Sequence, residues 1–193
     1  MDIGNVAKQY ETLYDVVLTE HRKVFEKQDV AEIEAFMNAI VKAQRIFVMG
    51  VGREGIAARG FAMRLMHLGK EVHWIWDDTT PGMGAGDLFI VVNGSGKIGH
   101  IHYVVEEAKK NGVTIAVVTG TPKEKTPALA DLTLFVPACV FNGTDERAVP
   151  SIQPMGALFE QHCFLLYDII IVMLEKAMGR THEEMEKRHR NVE

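Results

Sequence analysis

Cysteine is almost missing from the sequence: Cys139 and Cys163 are the only two in 193 residues, and neither belongs to a C-x-x-C pair. That excludes a disulfide framework. No charged-then-apolar stretch opens the chain, so secretion is not indicated and a cytoplasmic protein with reduced thiols is expected. Long apolar runs are missing too. The most apolar one, 163–174, is interrupted by Asp168 and flanked by Glu160 and Glu175, which reads as too short and too charged for a bilayer span and instead as a buried helix. Nor is there an excess of positive charge. Lys and Arg number 21 against 26 Asp and Glu, a formal net charge of -5 that argues against a nucleic-acid surface. Neither an internal repeat nor a low-complexity tract is present. What remains is one domain of ordinary composition, 47% hydrophobic and 24% charged, large enough to bury most of its apolar surface. No membrane and no nucleic acid is expected among its partners.

The rest of the chain is organised around residues 45–55. The apolar run Ile46-Phe-Val-Met49 gives way to Gly50-Val-Gly52-Arg53-Glu54-Gly55 and then to a helical pattern over 56–67. A buried strand that passes through a glycine turn into a helix leaves free backbone N–H groups at the positive end of the helix dipole, which makes a seat for an anion. Gly50, Gly52 and Gly55 also satisfy the dinucleotide spacing G-x-G-x-x-G, and the acidic pair Asp77 and Asp78 follows the next apolar run at about the offset expected for a ribose contact. Two features weigh against a dinucleotide. Arg53 puts a cation into the turn, and a second glycine turn, Asn93-Gly94-Ser95-Gly96, follows a later strand. Two cradles after two strands suit one small phosphorylated ligand better.

Periodicity places amphipathic helices at 6–27 and 30–43 before the first strand, an unusual beginning for a dinucleotide domain. Strands follow at 46–49, 72–76, 88–92, 113–119 and 132–136, helices at 56–67 and 98–109, and a short helix at 128–130. A long apolar helix covers 154–178, and Thr181-His-Glu-Glu184 opens the last one as a capping box. Strands that alternate with helices and read as continuous apolar runs mean a parallel sheet covered on both faces. The segment 137–153 is irregular, polar and longer than a usual connection, which favours a functional loop that caps a site.

Several longer motifs carry a family likeness. Gly50-Val-Gly-Arg53, Phe61-Ala-Met-Arg64-Leu-Met-His67-Leu-Gly, Thr80-Pro81, Gly86-Asp87, Gly94-Ser-Gly96, Pro154-Met-Gly-Ala-Leu-Phe-Glu160-Gln and Lys187-Arg-His189 resemble the sugar isomerase (SIS) domain family, and within it the 6-phospho-3-hexuloisomerases, over nearly the whole chain. The resemblance implies an α/β, flavodoxin-like three-layer sandwich with a five-stranded parallel sheet. It implies a single SIS domain over 1–193, with a helical extension at 1–44 and carboxyl-terminal helices at 154–193. It further implies a homotetramer that converts hex-3-ulose 6-phosphate to fructose 6-phosphate with no metal and no organic cofactor. Carried over onto this chain, Gly52, Arg53 and the turn Gly94, Ser95, Gly96, Lys97, Ile98 and Gly99 would hold the substrate. Glu160 would be the base, and His189 would enter a neighbouring subunit's site. The chain departs from the family inside that site. Glu54 stands where the family usually has a small hydroxyl residue, and Lys97-Ile98 stands where it usually has Glu-Thr, so two hydroxyl donors to phosphate are missing and an anion is added.

An aldose–ketose type shift moves a proton between adjacent carbons through an enediolate, so it needs a base, a donor for the developing oxyanion and exclusion of water. Glu160, in the first turns of an apolar helix beside Gln161 and His162, is either that base or a solvated helix-start glutamate favoured by the dipole. His189 is either a solvated residue of a charged terminal helix or a visitor to a partner's site. Ser95 is a turn residue or a phosphate ligand, and Arg53 serves the ligand or a carboxylate such as Glu54. Lys97 is a phosphate cation or a partner for Glu54. His100 and His102, two apart on a helix, face different ways and cannot share a metal. These readings amount to a cytoplasmic phosphosugar isomerase. The alternatives are a non-catalytic sugar-phosphate-binding protein, favoured by Glu54, Lys97 and Ile98, and, less favoured, a dinucleotide-binding protein.

Overall fold

Five short strands, β1 Arg45–Met49, β2 Glu71–Trp74, β3 Leu88–Val92, β4 Thr114–Thr119 and β5 Leu132–Phe135, form one sheet in the computed structural model, which describes residues 4–192. All pairings are parallel, in the order β2-β1-β3-β4-β5, with Ile46 in register with Val72 on one side and Leu88 on the other. Successive side chains on a strand point to opposite faces. Here each face has its own core. Ile46, Val48, Ile90 and Val92 join the larger cluster, while Phe47, Met49, Phe89 and Val91 join a second one. Burial on both sides is why these strands read as unbroken apolar runs, and each fully buried side chain contributes about 1.5–3 kcal/mol.

The helices are α1 Val6–Lys27, α2 Val30–Lys42, α3 Gly52–His67, α4 Gly99–Lys110, α5 Ala157–Ala177 and α6 His182–Glu186. α2, α3 and α5 cover the larger core through Phe36, Ile40, Ala58, Phe61, Leu65, Leu166 and Ile170. α4 covers the other through Ile101 and Val105, joined by Leu129 and Ala130 at the edge of a short 3-10 turn, Pro127–Leu129. The result is the flavodoxin-like three-layer sandwich that the resemblance implied.

Three boundaries differ from the periodicity by more than two residues, each for a local reason. α3 begins at Gly52 rather than 56, because the glycine turn is already helical: Gly55 N donates to Val51 O at 3.0 Å. α5 begins at Ala157 rather than 154, because Met155 adopts a left-handed φ of 55°. α6 is only five residues long, so the charged tail beyond Glu186 is not helix. The length of α5 also corrects the expectation that the apolar run is too short for a bilayer. With 21 residues and a mean hydropathy of 1.6 it is long and apolar enough to cross a membrane, by length and composition only. Its inner face nevertheless forms core, through Leu158, Phe159, Cys163, Leu166, Ile170 and Leu174, and its outer face exposes Phe164, Leu165, Ile169, Val172 and Met173.

At the amino edge of the sheet, Asp87 is 3% exposed and accepts hydrogen bonds from Arg45 Nη2 at 2.6 Å, Arg45 Nε at 3.0 Å and Gly84 N at 2.9 Å. The Arg45 hydrogen bonds, chiefly, hold its carboxyl below the ordinary value of 3.8. A depressed carboxyl stabilises the fold above its unfolded pKa and loses that contribution as the pH falls through the folded value. Asp87→Asn is therefore expected to cost about 1.5–3 kcal/mol at neutral pH, since it replaces the charged acceptor of the two Arg45 hydrogen bonds. In chemical denaturation at a series of pH values, that penalty shrinks below pH 3.8.

Candidate active site

The strand order decides where a ligand can sit. β1 and β3 are neighbours, yet α3 and α4, which follow them, pack on opposite faces of the sheet, so the chain parts at their carboxyl ends and leaves a crevice. A cavity of about 220 Å³ occupies it, floored by Val51 to Glu54 and by Gly94, Ser95 and Ile98, and walled by Phe159 and Glu160 of α5. Val140, Phe141 and Asn142, from the irregular segment expected to cap a site, line it too.

The helix starts around this cavity differ from the others. α1, α2 and α6 begin at Asn5, Asp29 and Thr181, whose side chains accept first-turn N–H groups. α3, α4 and α5 begin at Val51, Ile98 and Gly156 with no side-chain cap, and these three residues all line the cavity. Three positive dipole ends without side-chain caps therefore border one space, which favours an anion. The turn after β3 is held still beneath them. Gly94 O accepts from Gly120 N at 3.1 Å, from Thr119 Oγ1 at 3.1 Å and from Thr121 Oγ1 at 3.0 Å.

Three charged side chains complete the site. Arg53 Nε donates to Glu160 Oε2 at 2.5 Å, tying the start of α3 to the start of α5, with the Glu160 side chain 21% exposed. Glu54 turns the other way. Its Oε2 accepts from Gly94 N at 2.8 Å, while Oε1 is shut off from solvent and has no hydrogen-bond partner. Burial, above all, pushes the Glu54 carboxyl up to about 8; the charge of Glu160 adds to that, and the Gly94 N–H opposes it. Two carboxyls in one site thus differ, Glu160 paired with a cation and Glu54 largely protonated at pH 7.

Of the residues singled out from the sequence, Gly52, Arg53, Gly94, Ser95, Ile98 and Glu160 meet at the cavity. Gly96, Lys97 and Gly99 belong to the same turn without lining it. Lys97 Nζ meets Glu124 Oε1 at 3.2 Å, so it is not the partner of Glu54, and Arg53 pairs with Glu160 rather than with Glu54. His189 lies elsewhere. Its ring stacks on His67 at 5.3 Å, and Arg188 Nη1 holds the tail there by donating to His67 O at 3.3 Å. Since α3 has 16 residues, that end is about 20 Å from Arg53 within the same chain. Asp77 and Asp78 are exposed beyond β2 and line no part of the cavity, which removes the ribose contact that a dinucleotide would need. Gly55 instead serves packing, since a Cβ there would lie 2.8 Å from Gly50 O. Among the described residues, no group of three or more His, Cys, Asp or Glu side chains is placed to hold a metal ion.

The family model of the SIS domain matches residues 39–140, a span that takes in all five strands and both glycine turns. The chain belongs to the SIS domain family. This SIS chain is 38% identical over 167 residues to the 3-hexulose-6-phosphate isomerase of Mycobacterium gastri, covering 86% of this chain and 83% of that one. To the 3-hexulose-6-phosphate isomerase of Bacillus subtilis it is 35% identical over 162 residues, covering 84% and 87%. Among solved structures, a Methanococcus jannaschii protein with an inferred 3-hexulose-6-phosphate isomerase function superimposes with a TM-score of 0.82 at 29% identity, covering 94% of this chain and 99% of that one. The SIS model match stops before α5, so Glu160 is brought to the cavity by the packing of α5 on α3 rather than by any motif inside the matched span.

Sequence reasoning missed Phe159 and the inward turn of Glu54. Nothing local announces either, because both are defined by their approach to Gly94: a Cβ on Gly94 would lie 2.8 Å from Glu54 Oε2 and 2.9 Å from the Phe159 ring. Gly94→Ala is expected to displace both, lower stability by about 1–3 kcal/mol in thermal denaturation, and abolish protection of the fold by sugar phosphates.

Proposed function

We propose that this SIS protein is a phosphosugar isomerase that interconverts hex-3-ulose 6-phosphate and fructose 6-phosphate. One observation carries the reading: the Glu160 carboxylate, held by Arg53, opens onto the same cavity as three uncapped helix starts. The kinship with proteins named 3-hexulose-6-phosphate isomerase supports the substrate. Ser95 and the free backbone N–H groups on the 95–99 side of the turn receive the phosphate. Glu160 takes the proton from C2 of the 3-ulose, and an enediolate spreads over C2 and C3. The Arg53 guanidinium donates to the oxygen that gains charge, the hydroxyl proton of O2 passes to O3, and Glu160 returns the carbon-derived proton to C3. The carbonyl gained at C2 is the one lost at C3. The shift is redox-neutral within the substrate and draws on neither metal nor organic cofactor.

Assembly is part of the same proposal. α1 exposes Tyr10, Leu13 and Leu18, and α5 exposes Phe164, Leu165 and Ile169, apolar faces suited to a homotetramer in which His189 serves a neighbouring protomer as acid or ring-opening helper. Phe164 and Leu165 share a groove with Arg53 and Glu160, which would link assembly to activity. The unpaired thiols of Cys139 and Cys163 support a cytoplasmic setting.

A second reading, a sugar-phosphate-binding protein without turnover, is favoured by one observation: Glu54 occupies a donor of the phosphate turn. Incubation with fructose 6-phosphate in deuterium oxide separates the two. An isomerase exchanges the C3 hydrogen, and Glu160→Gln slows that exchange by about 10²–10⁴-fold with the melting transition unchanged. Thermal stabilisation by fructose 6-phosphate without exchange would instead establish the binding protein. The paired change Leu165→Glu with Ile169→Glu is expected to reduce the mass seen by light scattering and the turnover together.

A further inference from the structure

The turn after β3 does not offer all of its donors to a ligand. Gly94 N is taken by Glu54 Oε2 at 2.8 Å, and Glu54 itself forms part of the cavity wall. Its other oxygen, Oε1, has neither a hydrogen-bond partner nor contact with solvent. The groups that face this carboxyl offer no cation. From α5 come the Glu160 carboxylate, the Cys163 thiol and the Tyr167 phenol, the latter two kept neutral because burial pushes both pKa values up. On its own helix, Arg53 is turned to Glu160, and from the β3 turn Lys97 is turned to Glu124. An ionised Glu54 would therefore be an anion with one hydrogen bond, in a cavity of about 220 Å³ that must also take a phosphate. Repulsion between two anions is weakly screened in such a space.

We infer, building on the phosphosugar reading, that Glu54 sets both the specificity and the pH limit of this site. The sugar phosphate enters only while Glu54 is a neutral carboxylic acid, and its phosphate is confined to the Ser95–Gly99 side of the turn because the Gly94 donor is already engaged. Glu54 acts here as a specificity-determining residue, not as a catalyst. Binding is then coupled to protonation. At a pH where the empty site has lost the Glu54 proton, the incoming phosphate draws one back from solvent onto that carboxyl, and at lower pH none moves. The sign follows from the direction of the shift: affinity is full below about 8 and falls as the pH rises above it. The ligand does not confound this, since a phosphate monoester with a second pKa near 6 is already a dianion above about pH 7.

Calorimetric titration of the full chain with fructose 6-phosphate between about pH 6.5 and 9.5, in two buffers of different ionisation heat, tests the inference. The expected result is a Kd about tenfold weaker at pH 9 than at pH 7, with close to one proton taken up per site at the upper end. Glu54→Gln, which keeps the shape without the charge, flattens the profile and removes the proton uptake, and Glu54→Ser does the same. A wild-type Kd that stays constant across this range, or a slope that survives in Glu54→Gln, overturns the inference. The wild-type profile decides even if a variant fails to fold. Exchange of the C3 hydrogen with a pH-independent Kd would sink this inference and leave the isomerase standing. Proton-linked binding without exchange would do the reverse, and no binding of fructose 6-phosphate at any pH would sink both.

Discussion

Backbone N–H groups at the start of a helix seek an acceptor, and this fold gathers three helix starts without side-chain caps in one place. α3, α4 and α5 come from distant parts of the chain, begin with Val51, Ile98 and Gly156, and share the cavity at the parting of β1 and β3. Everything else at the site is arranged around those three helix starts. The sheet order brings the first two helix starts together, and the packing of α5 on α3 adds the third. The hydroxyls of Thr119 and Thr121 fix the turn between them. A fold so arranged is complementary to an anion before any side chain is considered.

Side chains then divide the labour between two carboxyls a few residues from those helix starts. Glu160 is paired with and oriented by the Arg53 guanidinium, which suits a group that must meet a proton on carbon in one fixed geometry. Glu54, without a cation and largely enclosed, is driven toward its neutral form. Environments that separate two chemically identical groups in this way recur wherever one fold must provide both an acceptor and a neutral polar wall.

Much of this was legible in the residues and some was not, for reasons that can be named. The strands at 46–49 and 88–92 stand out because burial on both faces leaves no polar position to break the run. The turns at Gly50–Gly55 and Gly94–Gly96 stand out because Gly50, Gly55, Gly94 and Gly96 have no room for a Cβ and Gly52 takes a positive φ of 57°. The start of α3 was misplaced by the same glycines, whose poor helix propensity hides a turn that tertiary contacts enforce. The partners of Lys97 and Arg53 were not legible, since Glu124 and Glu160 lie 27 and 107 residues away. His189 shows the opposite limit: its motif is plain, yet its position on His67 depends on how a short tail folds back along α3.

The contact between Glu54 and Gly94 also constrains how this site can drift. Position 94 has no room for any side chain, since both the acid and the Phe159 ring stand where a Cβ would go, and its amide keeps the acid turned inward. Descendants of this sequence should therefore keep the glycine, and a lineage that traded the acid for a hydroxyl would at once recover a free amide for its ligand.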